Sequence, residues 1–384
     1  MKRFSIFFFA LTLLSTLWIG QASAEEQYIK RAAVTGRSGP GTFFDAIVVL
    51  KRGRAVTVTE RVKRWAKVTT GKHNVWVPTN GLERAPEKSH KSISPSEAGD
   101  VSSSPAGLAA AAKGFAKQFA KRIKAGDMNL LLRAEMSPQA FSQGLKRFHA
   151  THPERSWPFA KEYKAPPAIE GWEAKIGLAV AAKLVAHYGI VDDLAERRSL
   201  TLLANIIGRQ SARFDLRWRV LVLDSAELNA FGLSDGYILV TRGLLAACHS
   251  LEERAAILAH EVAHVVRFHN LSEVQERKVY IEADAAQQAM DTAFNEEPDE
   301  VVTELSQVAL DAYTFLHKDR LASHEFEADQ LAAIYLYRSG LPPHALVNIL
   351  KRVERERGEV KAYSGHPPFK TRIKRLKRQL KKMR

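Results

Sequence analysis

Residues 257–270 read ILAHEVAHVVRFHN and carry three histidines, His260, His264 and His269, with Glu261 beside the first. A helix turns ~100° per residue, so His260 and His264, four apart, lie ~40° from one another and one turn along. Both imidazoles can therefore reach one ion. Glu261 sits on the adjacent face, where its carboxylate can hydrogen-bond a water on that ion. Ile257, Leu258, Val262 and Val265 supply an apolar face, and Glu252 and Glu253 favour the positive end of the helix dipole. Residues 251–269 are thus predicted as one long helix bearing a zinc-site signature.

A catalytic zinc takes three protein ligands and leaves a fourth position open. His269 lies five residues past His264, ~140° around a continuous helix. No glycine between residues 265 and 270 breaks that helix. His269 is therefore expected as a C-terminal helix histidine facing the dipole or solvent. Carboxylates elsewhere are the remaining candidates. Residues 321–340, LASHEFEADQLAAIYLYRSG, read as a helix stopped by Gly340. Glu325 and Asp329 share one face at i and i+4, and Glu327 points elsewhere. Glu325 as ligand, with Asp329 holding it or a neighbouring histidine in place, is one reading. A solvated acidic helix start is the other, and periodicity leaves both open.

The rest of the 384 residues divides by composition. Residues 44–50, 54–60, 65–70 and 74–78 are short β-branched and aromatic runs separated by turn signals at Gly53, Lys63-Arg64 and Gly71-Lys72, which predicts a small barrel over 25–85. Trp65 and Trp76 there are core residues or a ligand platform. Residues 86–105, rich in Ser, Pro and charge, read as a linker. From residue 106 to 384 the chain reads as mainly helical, with helices at 106–127, 172–189 and 200–213 and strands at 217–225 and 236–242.

Residues 223–269 resemble the HtpX/CAAX-protease-type zinc metallopeptidases, peptidase family M48. The likeness rests on Asn229-Ala230-Phe231 followed by Gly236, on the strand begun by Gly236, Tyr237 and Ile238, on Thr241 and Gly243-Leu244-Leu245, and on the H-E-x-x-H helix. A downstream E-x-x-x-D, matched by Glu325 and Asp329, supplies that family's third ligand. The resemblance implies an α+β, mainly helical gluzincin-type domain with a small sheet. It implies one Zn2+ held by His260, His264 and Glu325, with Glu261 as general base. It also implies an extended polypeptide substrate along the strand 236–240. Ser234-Asp235 stands where the family has Pro-Gly, which is expected to alter the turn. The run from residue 37 to 78 is similar to bacterial SH3-like domains, with R-S-G-P-G at 37–41. That likeness implies either a peptide-binding module for cell-wall or protein ligands or a spacer.

His366-Pro367-Pro368 and Arg372 resemble the family's C-terminal H-P-x-x-x-x-R. Either His366 or Arg372 reaches the cleft, as gate or oxyanion stabiliser, or the segment is a turn that fixes the last helix. Residues 370–384 hold nine Lys or Arg and no acid, with Ile373, Leu376, Leu380 and Met383 at helical spacing. This is a docked amphipathic helix or a contact with an anionic membrane surface.

The chain begins with Lys2 and Arg3, an apolar run from Phe4 to Ile19, and Ala22-Ser23-Ala24, the pattern of a cleaved export signal. Cleavage there would lower the formal charge from +15 to +13 by removing Lys2 and Arg3. Export implies a periplasmic location, where nucleic acid is not an expected partner. The single cysteine, Cys248, precludes an intrachain disulfide framework. Two functions follow: an exported zinc endopeptidase for unfolded or extended envelope proteins, or a non-proteolytic envelope binding protein using the barrel and a metal cleft.

Overall fold

The structure, a computed structural model, describes residues 25–85, 136–157, 173–269, 322–357 and 367–383. The expected signal peptide (1–24), the linker (86–105), the helix at 106–127 and His366 lie outside the described residues.

The N-terminal part is a single antiparallel sheet. Its strands are β1 (Glu25–Ile29), β2 (Ala33–Arg37), β3 (Ala46–Lys51), β4 (Ala55–Val62), β5 (Trp65–Thr70), β6 (His73–Pro78) and β7 (Leu82–Glu83), in the order β3-β2-β6-β5-β4-β1-β7. Alternation decides which side chains go inward: Val56 and Val58 of β4, Ala66 and Val68 of β5, and Val75 and Val77 of β6 pack on Ile29, Val34 and Leu50. Burying each Val, Ile or Leu contributes roughly 1.5–3 kcal/mol. Gly53, Lys63 and Gly71 take positive φ at the hairpin turns, where the sequence placed its turn signals. β1 and β2 were not foreseen, because both are only five residues long and EEQYI opens with three polar residues.

The C-terminal part comprises α1 (Pro138–Thr151), α2 (Glu173–Tyr188), α3 (Leu194–Gly208), β8 (Arg219–Leu223), β9 (Ala230–Leu233), β10 (Tyr237–Thr241), α4 (Arg242–Ala246), α5 (Leu251–Val266), α6 (Ala322–Arg338), α7 (His344–Arg357) and α8 (Phe369–Lys382). The whole described chain is α+β: a seven-stranded sheet followed by a mainly helical region with a three-stranded sheet. Side chains of β10 alternate, so Tyr237 and Leu239 pack on α2 while Ile238 and Val240 pack on the core of α3, α5 and α6. Among the described residues no helix is long and apolar enough to cross a membrane.

The order of the small sheet is β8-β10-β9, with β10 parallel to β8 and antiparallel to β9. This corrects the expectation for Gly236, Tyr237 and Ile238. β10 is the central strand, both of its edges are paired, and its five residues are buried, so it cannot take an added strand. The edge strand of this sheet is β9, which carries Ala230 and Phe231, follows Asn229 and packs against α5.

The turn between β9 and β10 explains the departure at Ser234-Asp235. Asp235 (φ 59°) and Gly236 (φ 80°) are consecutive left-handed residues. Aspartate tolerates that conformation and glycine adopts it without strain, so Asp-Gly makes the turn as well as Gly-Gly would.

The two parts are docked on each other. Arg31 pairs with Asp215 at 2.5 Å, Asn80 donates to the Ala212 carbonyl and to Asp215, and Arg64 donates to the carbonyls of Arg209 and Ser211. The Arg64 guanidinium lies 3.6 Å from the centre of the Phe214 ring, and Trp65 meets the same ring edge-on at 6.1 Å. Phe43 stacks on Phe141 of α1 at 4.3 Å. Trp65 is thus buried against the C-terminal part and is not an open ligand platform.

α5 begins at Ser250, whose hydroxyl accepts from the Glu253 N–H at 3.2 Å, and it is buried from Ala255 to Val266. It lies in the middle of the core between α3, α6 and α7. A helix buried over its last three turns offers a rigid platform for the histidines it carries.

Candidate metal centre

α5 presents His260 and His264 one turn apart, and α6 presents Glu325 opposite them. His260 Nε2 and His264 Nε2 are 3.1 Å apart. Glu325 Oε2 is 3.4 Å from His260 Nε2, and Glu325 Oε1 is 3.3 Å from His264 Nε2. A tetrahedral ion bound at 2.0–2.1 Å has ligand–ligand edges of about 3.3 Å. The three separations match that edge. His264 and Glu325 are fully buried and His260 is 8% exposed.

Charge supports the same conclusion. Among the described residues, Glu261, Glu325 and Asp329 are buried near the Arg372 guanidinium and His260. Three carboxylates against these two groups leave a surplus of negative charge that suits a bound cation. A divalent ion among His260, His264 and Glu325 removes it, so the residues present fit a metal.

Asp329, one turn after Glu325, lies 3.2 Å from His260 Nδ1. This leaves Nε2 as the outward nitrogen, the arrangement that supporting carboxylates give metal-binding histidines. Burial works against charging His260, but hydrogen bonds to Asp329 and Glu325 outweigh it and lift its pKa to about 9. The same buried carboxylates that hold a proton there also suit a cation. Arg372, from the start of α8, donates to Asp329 Oδ1 at 2.7 Å and Oδ2 at 2.8 Å, and its third nitrogen is 2.8 Å from Glu325 Oε2. Burial would raise the Asp329 carboxyl, but the Arg372 charge and hydrogen bond hold it below the usual carboxylate range. Arg372 therefore holds both carboxylates, and its Nη2 stands 3.5 Å from His260 Nε2.

Glu261 is held by β9. Its Oε2 accepts from the Gly232 N–H at 2.7 Å. Gly232 must be glycine for this approach, since a Cβ there would stand 2.6 Å from the Glu261 carbonyl oxygen. Sequence reasoning named the residues on both sides of Gly232 and passed over it.

The structure also changes the reading of His269. α5 stops at Val266 and Phe268 takes φ 57°, so the chain leaves the helical path. His269 turns back and is buried at 3% exposure. It does not join the His260–Glu325 cluster and does not face solvent. Its Nδ1 lies 3.0 Å from His264 Nδ1, its Nε2 lies 3.0 Å from Glu327 Oε2, and its ring stacks on His324 at 4.2 Å. Burial pulls its pKa down to about 4, so the ring is neutral.

Residues 196–380 match the model for peptidase family M48. The chain carries a peptidase family M48 domain. The chain is 29% identical over 175 residues to "Mitochondrial metalloendopeptidase OMA1" of Schizosaccharomyces pombe, covering 44% of this chain and 49% of that protein. It is 36% identical over 55 residues to "Metalloendopeptidase OMA1, mitochondrial" of Bos taurus, covering 14% of this chain and 10% of that protein. The chain thus spans about half the length of the first relative and a tenth of the second. The M48 match starts within α3 and runs to the end of Leu380 in α8, so it contains every residue of the cluster just described.

Proposed function

We propose that the chain is an exported zinc endopeptidase that cleaves unfolded or extended polypeptides. One observation carries this reading: two helices of an M48 domain bring His260, His264 and Glu325 to tetrahedral spacing beside a buried Glu261. Zinc held by these three residues supplies Lewis acidity toward a water and the scissile carbonyl. Glu261 then accepts the proton of the attacking water and delivers it to the leaving amine. The Gly232 N–H keeps that carboxylate turned toward the cleft. Asp329 and Arg372 hold His260 and Glu325 in place.

The substrate would be an extended chain that reaches Glu261 near Asn229, Ala230 and Phe231. Export to the periplasm rests on the basic start, the apolar run and Ala22-Ser23-Ala24. The OMA1 relatives are named as mitochondrial, which describes those proteins. The SH3-like barrel would take a cell-wall or protein peptide on a face other than the one used by Trp65. The solvent face of α8, with Lys374, Lys377 and Lys381, would meet an anionic membrane surface.

The test uses purified protein and casein as an unfolded substrate. Cleavage is expected, is lost with chelator and returns with Zn2+. Glu261→Gln is expected to be inactive and still to bind zinc. Cleavage that ignores chelator, or a fully active Glu261→Gln, contradicts the assignment. Zinc binding without any cleavage would favour the binding-protein reading.

A further inference from the structure

His269 is one of three histidines in the decisive stretch, yet the hydrolytic reaction does not use it. Its surroundings are specific. It is buried, one ring nitrogen faces His264, and the other faces Glu327. Glu327 is fixed in turn by Arg267, at 2.7 Å from its other oxygen. Arg267 and His269 flank Phe268, so the same left-handed residue brings both onto Glu327.

The proton order along this chain of contacts follows from the chemistry of imidazole. A neutral ring has one donor nitrogen and one acceptor nitrogen. His264 turns Nε2 toward His260 and Glu325, so that nitrogen must be bare to bind a metal, and Nδ1 carries the proton. Nδ1–H then donates to His269 Nδ1. His269 keeps its own proton on Nε2 and donates it to Glu327. Every donor in the chain meets an acceptor, and only this order leaves His264 Nε2 available. His260 is oriented by Asp329 in the same way, through its own Nδ1. α6 therefore supports both histidines: Asp329 directly, and Glu327 through His269. Glu325 and Glu327 are two apart, ~200° on the helix, which is why Glu327 needs an intermediary to reach His264.

We propose that His269, backed by Glu327, is a positioning residue that fixes the tautomer and ring orientation of His264 and so sets the metal affinity of the centre. This rests on the metal reading given above.

The test measures Zn2+ affinity by competition with a chromophoric chelator, and the visible spectrum of the Co2+-loaded full-length chain. Loss of such a supporting partner typically weakens metal binding 10–100-fold. His269→Ala is expected to weaken Zn2+ binding by that factor and to change the cobalt spectrum. His269→Asn, whose amide oxygen can accept from His264 Nδ1, is expected to restore most of the affinity. Glu327→Gln is expected to fall between. If His269→Ala does not fold, the Asn and Gln variants still decide the matter. A folded His269→Ala with Zn2+ affinity within twofold of the wild type and an unchanged spectrum overturns the inference. A wild-type chain that binds no Zn2+ overturns the metal reading itself, which is a separate outcome.

Discussion

Arg372 grips Asp329 through two buried hydrogen bonds, at 2.7 and 2.8 Å. The two residues are forty-three apart and belong to α8 and α6. This contact ties the last helix of the chain to the helix that carries Glu325. It sets Arg372 against Glu325 and Asp329, with Nη2 3.5 Å from His260 Nε2.

Removing Arg372 leaves two buried carboxylates without their cation. Arg372→Ala is expected to destabilise the metal-free chain by about 3–5 kcal/mol, the usual cost of breaking a buried ion pair from one side. Arg372→Lys is expected to lose less, because a lysine supplies charge without the fork. Urea unfolding of both variants, with and without Zn2+, checks this. Equal stability of Arg372→Ala and wild type would show that the contact is incidental.

Gly232→Ala is expected to push Glu261 off its backbone donor. The added methyl would stand 2.6 Å from the Glu261 carbonyl oxygen, and overpacking of this kind costs about 1–3 kcal/mol. Casein turnover should fall by more than tenfold while zinc content holds at the wild-type level. Wild-type turnover would mean that the Gly232 contact has no part in setting Glu261.

Acid should weaken the docking of the N-terminal sheet. Burial alone would raise the Asp215 carboxyl, but the charges of Arg31 and Arg213 and hydrogen bonds from Arg31 and Asn80 hold it well below the ordinary range. A carboxylate depressed in the folded state stabilises at pH above its unfolded value of ~3.9, and that stability is lost as pH falls below it. Wild type is therefore expected to lose stability steeply between about pH 5 and 2, and Asp215→Asn to be weaker at pH 7 with a flatter profile in that window. Parallel profiles would contradict a stabilising Arg31–Asp215 pair.

Cys248 should be chemically silent. Burial, with Glu253 nearby, pushes its thiol up to about 12. A thiol reagent at pH 8 is expected to label none of it in the native chain and one cysteine per chain after unfolding. Rapid native labelling would indicate that the α4–α5 corner opens.

Much of this was legible in the sequence because it lies within single helices. The four-residue spacings of His260 to His264 and of Glu325 to Asp329 fix faces without any knowledge of the fold. Which face meets which was not legible from periodicity. An acidic helix start and a metal-ligand helix have the same pattern, and only the resemblance to M48 separated them. α1 went unread although Ser137-Pro138 is a good helix start, because its apolar positions are sparse. β10 was misplaced at the edge, yet its unbroken apolar run, YILVT, is the signature of a strand covered on both faces. His269 was read as facing the dipole or solvent and is instead buried. Its position depends on a left-handed Phe268, and phenylalanine carries no signal for that conformation.

Elemental analysis of the purified chain tests the two-helix metal site most directly. Wild type and Glu261→Gln are expected to hold one zinc per chain, and Glu325→Ala to hold none after dialysis against a mild chelator. Full zinc retention in Glu325→Ala, or a wild-type chain free of zinc, would contradict the site.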